Sequence, residues 1–396
     1  MYEFLEATHR SYPNMTHIYS IGKSLQGKDL WVMAVSSHSP DKHVLLRPET
    51  KYVGNIHGNE ATSREMLIRF IDLLLTQYGE DDSITHLMDT ARVHVMPTMN
   101  PDGYGITSKW NCSGVYGRYN MAQVDLNRDF PDYFNPTYQT REMMQPESGA
   151  VADWIDSTQF VLSAGFHGGA LVANYPYDSN SEPQSWMSYG APSICPDDAT
   201  FQYLAKAYSY NHRDMTNSST CRTFRDGITN GAEWYVALGT MQDYNYVWGG
   251  CMDLTIEIGC CKHPPYSHIE RYWLDNKLAM IEYLRKVDLG VKGIVTDETG
   301  KPVPNAVIQV NSTLSVRTTP LGEYWKILLP GTHKLKVSVD DVEVAAVTID
   351  TSSDSASVYN ITTSEIGNFI SATPPSSTNT LLVFGLSTML FYILYI

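Results

Sequence analysis

Apolar residues in the first part of the chain recur in two patterns, one typical of buried strands and the other of amphipathic helices. Residues 51–56 predict a short buried strand, and the next apolar residues follow at helical spacing, at Met66, Leu67, Phe70, Ile71 and Leu74. Thr62 and Glu65, just before that series, predict a capping box. The segment is therefore predicted to be a strand followed by a helix.

The same two patterns continue further along the chain. Apolar runs at residues 92–96, 160–166 and 252–258 predict three more strands, and residues 269–287 predict a long helix. Residues 100–103 predict a turn, because they combine Asn, Pro, Asp and Gly. Strands that alternate with helices in this way predict an α/β fold, in which helices cover both faces of a sheet.

The pattern changes near Asp288, where short apolar segments begin to alternate with turn residues. We count about seven predicted strands within roughly 80 residues, which indicates a small β-sandwich. No constellation of catalytic residues is visible in that stretch. The sequence therefore predicts two domains, an α/β domain at residues 1–287 and an all-β sandwich at residues 288–365.

The end of the chain, from Ile366 to Ile396, contains no charged residue. Residues 366–380 form a polar linker, and residues 381–396 form an apolar tail shorter than the about 20 residues that a membrane-spanning helix needs. This order is the pattern of a glycosylphosphatidylinositol (GPI) anchor signal, with Ser371 or Ala372 as the candidate attachment site. The alternatives are a truncated or tail-anchored spanning helix and a buried C-terminal helix.

Composition and charge exclude some classes of protein. The 396 residues are 43% hydrophobic and 18% charged, which is enough apolar material for a core and excludes a disordered chain. The formal net charge of −15 argues against a nucleic-acid partner. This charge has two interpretations, a solvated surface or a field that attracts a cationic substrate.

Several features indicate the secretory route. The chain has six cysteines, compatible with a few disulfides, and Asn-X-Ser/Thr sequons at Asn14, Asn111, Asn217, Asn311 and Asn360. The first ten residues lack the apolar core of a signal peptide, so we expect the N-terminus of this sequence to be incomplete. We expect a monomer anchored by lipid at the extracellular face of the plasma membrane, with a released form in addition.

A candidate metal site follows two of the predicted strands. His57 and Glu60 stand three residues apart in a loop, and His167 ends the strand at residues 160–166. Imidazole and carboxylate groups bind zinc, and a catalytic zinc has three protein ligands. Because such side chains gather at the carboxyl ends of strands in α/β sheets, these three can converge. The alternative is a solvated polar loop and a structural histidine.

Four further residues have side chains suited to hydrolysis. Glu257 lies inside an apolar strand, where partial burial would raise its pKa and suit it to general-base catalysis. Arg128 and Asn127 can hold a carboxylate, and Arg118 can face a developing oxyanion. The alternatives are a solvent-facing glutamate at a strand edge and surface salt bridges for the arginines.

Together these residues stand in motifs that resemble the zinc metallocarboxypeptidases, and within them the regulatory N/E subfamily. The family motifs are His57-x-x-Glu60, Asn127-Arg128, His167-Gly-Gly and Thr255-Ile-Glu257. The likeness to the subfamily is carried by residues 55–60, 125–128, 241–246 and 260–262. The resemblance implies a mixed sheet flanked by helices, followed by a transthyretin-like sandwich.

The resemblance also implies a role for each site residue. His57, Glu60 and His167 would hold one zinc ion in the catalytic domain. Glu257 would act as general base and then general acid, and Arg118 would stabilise the tetrahedral oxyanion. The substrate would be bound by Asn127, Arg128 and Tyr235 at its terminal carboxylate, and by Asp178 and Gln242 at its side chain.

The function implied is the removal of a single C-terminal Lys or Arg from extracellular peptides and proteins. One departure from the family pattern is Asp129, where the family usually has Asn, and its charge could weaken Arg128 or pair elsewhere. One alternative is a catalytically weak or inactive carboxypeptidase-like binding protein at the cell surface. A second is a related zinc amidohydrolase acting on small acylated amino acids.

Overall fold

The computed structural model describes residues 1–181, 190–217, 221–353 and 355–363. The predicted linker at residues 366–380, its candidate attachment sites Ser371 and Ala372, and the apolar tail lie outside the described residues. Within the described ranges, no helix is both long enough and apolar enough to cross a membrane.

The first part of the chain is built on an eight-stranded sheet in the order β1-β2-β4-β3-β5-β8-β6-β7. Pairs β3–β4, β3–β5, β5–β8 and β6–β7 are parallel, and pairs β1–β2, β2–β4 and β6–β8 are antiparallel. The strands are β1 Thr16–Lys23, β2 Asp29–Val35, β3 Glu49–Gly54, β4 Arg92–Met96, β5 Phe160–His167, β6 Ala170–Tyr175, β7 Ile228–Asn230 and β8 Met252–Gly259.

Helices flank this mixed sheet. They are α1 Tyr2–Ser11, α2 Ala61–Gln77, α3 Asp82–Thr90, α4 Pro101–Ile106, α5 Pro146–Ser157, α6 Asp198–Ser209, α7 Gly231–Trp234, α8 Met241–Val247 and α9 Ile269–Leu284. Separate apolar clusters form the core, one including Phe70 of α2 and Tyr283 of α9, the other including Trp154 of α5 and Tyr244 of α8.

The central strands explain why the site forms where it does. Every residue of β3, β5 and β8 is buried, as expected for parallel strands covered on both faces. In the register of β5 and β8, His167 lies opposite Glu257. Since β3 runs parallel to β5, the loop that follows Gly54 begins at the same edge of the sheet.

Two local predictions differ from the structure. The capping box is wrong: α2 begins at Ala61 with Glu60 as its N-cap, and Thr62 Oγ1 donates to the Lys262 carbonyl oxygen at 3.2 Å. Thr62 therefore lies inside the helix, and its hydroxyl makes this long-range contact instead of capping the N-terminus. The predicted turn at residues 100–103 is the first turn of α4, where the Asn100 side chain accepts the Gly103 N–H at 2.8 Å.

The rest of the described chain is an all-β sandwich. One sheet has the order β11-β10-β13-β14, and the other has β12-β9-β15 with β16 also paired to β9. This confirms the predicted fold class, a mixed sheet flanked by helices and followed by an all-β sandwich. The strands are β9 Val291–Thr296, β10 Val307–Val310, β11 Val316–Arg317, β12 Glu323–Lys326, β13 Gly331–Val339, β14 Val342–Thr351, β15 Ser357–Val358 and β16 Ile361–Thr362.

Strand β12 joins the sandwich to the α/β domain. Trp325 and the following Ile327 pack in the apolar core of the α/β domain. Glu323 is fully buried; its carboxylate accepts a hydrogen bond from His43 Nε2 at 2.9 Å and the Leu46 N–H at 2.5 Å. Hydrogen bonds to Glu323 and Glu49 raise the pKa of His43 to about 9.

Replacing His43 with Gln is expected to lower the free energy of unfolding by about 2 kcal/mol near pH 6 and hardly at all near pH 10. A pKa of about 9 in the folded protein lies above the ordinary value of 6.5. The charged imidazole therefore stabilises the fold fully below about pH 6.5, and this contribution is lost as the pH rises through 9. Urea unfolding across this pH range measures the difference.

The control for this prediction is His38→Gln, because His38 is exposed and, among the described residues, its ring forms a hydrogen bond only with its neighbour Ser37. The control is expected to unfold like the original protein at every pH. A His43→Gln deficit that stays constant from about pH 6 to pH 10 would mean that the charge of His43 does not contribute to the interface.

Candidate active site

Three buried side chains meet at the carboxyl edge of the sheet. His57 and Glu60 lie in the loop between β3 and α2, and His167 is the last residue of β5. His57 Nδ1 lies 3.0 Å from Glu60 Oε1, and His167 Nδ1 lies 3.1 Å from Glu60 Oε2. The two Nδ1 atoms are 3.2 Å apart. The structure thus brings together the three residues predicted as metal ligands.

The spacing of these atoms fits zinc. Tetrahedral zinc with ligand bonds of about 2.0–2.1 Å holds its ligand atoms about 3.3 Å apart. The three separations of 3.0, 3.1 and 3.2 Å are close to that value. Two imidazole nitrogens and one carboxylate are also a donor set that catalytic zinc uses. The two distances to Glu60 involve its two different oxygens, and one ligand atom from each of the three residues lies within 4.8 Å of the others. His57, Glu60 and His167 can therefore converge on one zinc ion.

Asp125 orients one of these ligands. Its Oδ1 accepts a hydrogen bond from His57 Nε2 at 3.1 Å, which directs His57 Nδ1 to the candidate metal position. Arg118 Nε donates to the other carboxylate oxygen at 2.9 Å. Although burial raises it, the pKa of Asp125 is held well below its usual range by the bond from His57 and the nearby arginines. Sequence reasoning assigned Asp125 no role, although Asp125 begins the segment 125–128 that carries part of the likeness to the subfamily.

Glu257 lies across from His167 in the register of β5 and β8. Its side chain is buried in the wall of the same cavity, and its Oε2 has no hydrogen-bond partner among the described residues. Burial, together with the negative charge of Glu60, raises the pKa of Glu257 to about 7. A carboxylate with a free oxygen and such a pKa can accept and return a proton near neutral pH.

The side chains predicted to bind a carboxylate line the same cavity. Asn127 is buried, and its Oδ1 accepts the N–H of Met241 at 3.0 Å, so its amide group is fixed by α8. The Arg128 guanidinium lies 5.9 Å from the centre of the Tyr235 ring. Arg118 faces the metal position, with Nη1 3.3 Å from His57 Nδ1. These groups place several donors around one opening.

Asp178 is the buried acid of the cavity. Its Oδ1 accepts from Asn174 Nδ2 at 2.8 Å, and its backbone N–H donates to both oxygens of Asp243 at 3.0 Å. A Cβ atom at Gly231 would lie 1.9 Å from Asp178 Oδ1, so only glycine leaves room for this carboxylate. Burial raises the pKa of Asp178.

Gln242 differs from the other predicted residues. It is fully buried, and its Oε1 accepts the N–H of Thr255 at 2.6 Å. Within the described part of the chain, Gln242 is not among the residues that line the cavity, and its Nε2 has no partner. The residues that do line the cavity next to it are Thr240 of the α8 cap and Thr255 of β8.

Asp129, the departure from the family pattern, is directed away from the cavity. Its carboxylate accepts hydrogen bonds from the Gln139 side chain, the Gln145 N–H and the Ser148 hydroxyl. No ion pair joins Asp129 to Arg128 among the residues described. Asp129 thus anchors the segment that leads into α5 and leaves Arg128 free to meet another carboxylate.

Two disulfides reach the edge of the site. Cys112 pairs with Cys261, and Cys221 pairs with the adjacent Cys260. Cys260 and Cys261 follow β8 and directly precede Lys262. The Lys262 Nζ atom lies 3.3 Å from Glu60 Oε1. The bridges therefore tie two distant loops to the segment after Glu257.

Comparison with known families agrees with this geometry. Residues 1–279 match the family model for zinc carboxypeptidases, and residues 290–364 match the model for the carboxypeptidase regulatory-like domain. The family resemblance predicted from the motifs is thereby confirmed.

Two individual proteins are similar to this chain in sequence, and one solved structure is similar to it in fold. Carboxypeptidase M of Mus musculus is 44% identical over 345 residues, covering 86% of this chain and 76% of that protein. The carboxypeptidase N catalytic chain of Homo sapiens is 40% identical over 360 residues, covering 85% and 78%. The crystal structure of thrombin activatable fibrinolysis inhibitor has a TM-score of 0.55 at 20% identity over 72% of each chain, which shows a common fold.

Replacing Asp125 with Asn is expected to weaken zinc binding by about 10- to 100-fold, because the orientation of His57 depends on that carboxylate. Competition with a chelator, followed by metal analysis, measures the affinity. Asp129→Asn is the matched control, since it makes the same change four residues away without a contact to a ligand. Equal zinc affinities in the two variants would show that Asp125 does not orient His57.

Proposed function

The chain belongs to the zinc carboxypeptidase family, and from that premise we propose that it removes a single C-terminal Lys or Arg from extracellular peptides and proteins. The observation that supports basic specificity is the buried Asp178 carboxylate in the wall of the cavity that also contains His57, Glu60 and His167. His57, Glu60 and His167 would hold one zinc ion in the catalytic domain.

Cleavage at the chain end follows from the donors at the cavity. Arg128 binds the free C-terminal carboxylate of the substrate through its guanidinium, and Asn127 adds its amide N–H. Tyr235, which is 38% exposed beside Arg128, covers the bound residue. An internal peptide bond has no free carboxylate to offer Arg128, so the enzyme acts on chain ends.

Zinc, when bound, supplies Lewis-acid activation of water and of the scissile carbonyl. Glu257 takes a proton from the attacking water at its carboxylate and later gives that proton to the nitrogen of the leaving amino acid. Arg118 donates to the oxygen on which negative charge develops. The ion pair with Asp125 keeps the Arg118 guanidinium in place for that contact.

Selection of a basic side chain follows from uncompensated negative charge. Asp132, Asp178 and Asp243 are all buried. The backbone N–H groups of Asp178 and Ser179 donate to the Asp243 carboxylate, and the Ser179 hydroxyl donates to Asp132 Oδ1. Among the described residues, none of the three forms an ion pair with a lysine or arginine. A substrate ammonium or guanidinium supplies the missing cation, whereas an apolar side chain leaves Asp178 unpaired.

The complete site supports an enzyme over a non-catalytic binding protein. A binding protein has no need for a buried Glu257 with a free oxygen beside three converging zinc ligands. A substrate limited to a small acylated amino acid would not account for the acidic pocket. Both observations favour peptide hydrolysis.

We also propose export and membrane attachment. The two disulfides are typical of the secretory route, and the asparagines of two sequons, Asn14 and Asn217, are exposed. The proposed GPI anchor follows from the tail at residues 381–396 and its linker. On this proposal the protein is a monomer at the outer face of the plasma membrane, with a released form in addition.

The first test of this function compares blocked dipeptides that end in Arg, Phe or citrulline, an uncharged analogue of Arg. We expect kcat/KM for Arg to exceed that for Phe by at least about 100-fold, and a chelator to abolish both activities. Asp178→Asn is expected to remove most of this preference. A protein that cleaves Phe and Arg equally well would contradict basic specificity.

The second test concerns the proton carrier. Glu257→Gln is expected to lower kcat by about 100- to 10,000-fold, because an amide cannot accept the proton of the attacking water. Zinc content, measured by metal analysis, is expected to stay at that of the original protein. Retention of most of the turnover in a zinc-loaded variant would exclude Glu257 as general base.

A further inference from the structure

Strand β12 of the sandwich contributes one lysine to the interior of the α/β domain. Lys326 is 4% exposed, and its Nζ donates to the Asp197 carboxylate at 3.0 Å and to the Leu314 carbonyl oxygen at 2.8 Å. Asp197 is 2% exposed and is the N-cap of α6. A buried charge is stable only when it is paired and hydrogen-bonded. Lys326 supplies the charge that pairs with Asp197 and, together with the Leu314 N–H at 3.0 Å from Oδ2, determines where the Asp197 carboxylate can lie.

Asp197 in turn holds a residue of α8. Its Oδ2 accepts the hydroxyl hydrogen of Tyr246 at 2.8 Å. The same helix contains Asp243, whose carboxylate binds the backbone N–H of Asp178. Lys326 is thus two hydrogen bonds away from the helix that positions the acidic pocket.

A second route runs through the Tyr246 ring. This ring packs against the ring of Tyr177 with 5.6 Å between centroids, and Tyr177 directly precedes Asp178. The Tyr177 N–H donates to the Ser193 carbonyl oxygen at 3.1 Å, in the segment that leads to Asp197. Tyr177 therefore contacts two residues connected to Asp197: Tyr246 by a hydrogen bond, and Ser193 by the short segment of chain between them.

We infer that Lys326 is a positioning residue for the specificity pocket: through Asp197, Tyr246 and Tyr177 it determines where the Asp178 carboxylate meets the side chain of the substrate. In the described part of the chain, no sandwich residue lines the cavity, so this role is indirect. It gives the sandwich a part in substrate selection. The inference rests on the proposed function of Asp178.

The test uses the full chain loaded with zinc and two variants. Lys326→Met removes the cation, and Tyr246→Phe removes only the hydroxyl while keeping the ring, which covers the case in which Lys326→Met fails to fold. For the substrate ending in Arg, we expect KM to rise about fivefold in each, the factor that corresponds to one hydrogen bond. We expect kcat to change less than about twofold, and KM for the citrulline substrate to stay the same.

The control is Lys336→Met, which removes an exposed lysine of the same sandwich. Within the described ranges, this lysine forms an ion pair only with Glu343. It is expected to leave both KM values unchanged. In the double variant Lys326→Met, Tyr246→Phe, the effects should not multiply, because both residues act on one path. A folded Tyr246→Phe protein with unchanged KM for Arg, or with equal rises for Arg and citrulline, would overturn the inference.

Asp178→Asn in the same assay separates this inference from the proposed function. If Asp178→Asn leaves the preference for Arg over citrulline intact, the proposed function fails. If Asp178→Asn removes the preference while Lys326→Met and Tyr246→Phe do not alter it, the positioning role alone fails.

Discussion

The site depends on the parallel arrangement of three fully buried strands. Because β3, β5 and β8 run in the same direction, their carboxyl ends meet at one edge of the sheet, and the side chains beyond those ends converge. The register of β5 and β8 places His167 opposite Glu257. His57 and Glu60 lie in the loop that follows Gly54, the last residue of β3. The hydrogen bonds of the sheet thus fix the relative positions of residues that are far apart in sequence.

This arrangement places several ionisable groups together in a buried environment, and their carboxylates differ in their hydrogen-bond and ion-pair partners. Asp125 is paired with His57 and Arg118, and Asp129 is saturated by donors that lie away from the cavity. Among the described residues, neither Glu257 nor Asp178 forms an ion pair with a lysine or arginine, and burial raises the pKa of both. These are the carboxylates to which we assign proton transfer and recognition of the substrate cation.

The sandwich is joined to the α/β domain by more than a linker. Strand β12 buries Trp325 in the neighbouring apolar core. It also pairs one acidic and one basic side chain with the α/β domain, Glu323 with the half-buried His43 and Lys326 with the buried Asp197. Isolated charges in such an interface would be costly, so each specifies a single arrangement of the two parts. The same contacts connect the sandwich to α8 and to the acidic pocket.

The sequence by itself determined the features that depend on near neighbours. Hydrophobic periodicity predicted the alternation of strands and helices and the change to an all-β sandwich. Short motifs predicted His57, Glu60 and His167 as ligands and Glu257 as the nearby acid. These signals are readable because strand burial and loop motifs involve residues only a few positions apart.

Only the tertiary structure decided the contacts between distant segments. Six cysteines allowed many pairings, yet Cys261 meets Cys112 from 149 positions away. The Thr62 capping box failed because α2 begins at Ala61 and the Thr62 hydroxyl donates to the carbonyl oxygen of the distant Lys262. The bonds of Asp125 to His57 and of Lys326 to Asp197 span 68 and 129 positions. No local pattern encodes such pairs, because they depend on how the whole chain packs.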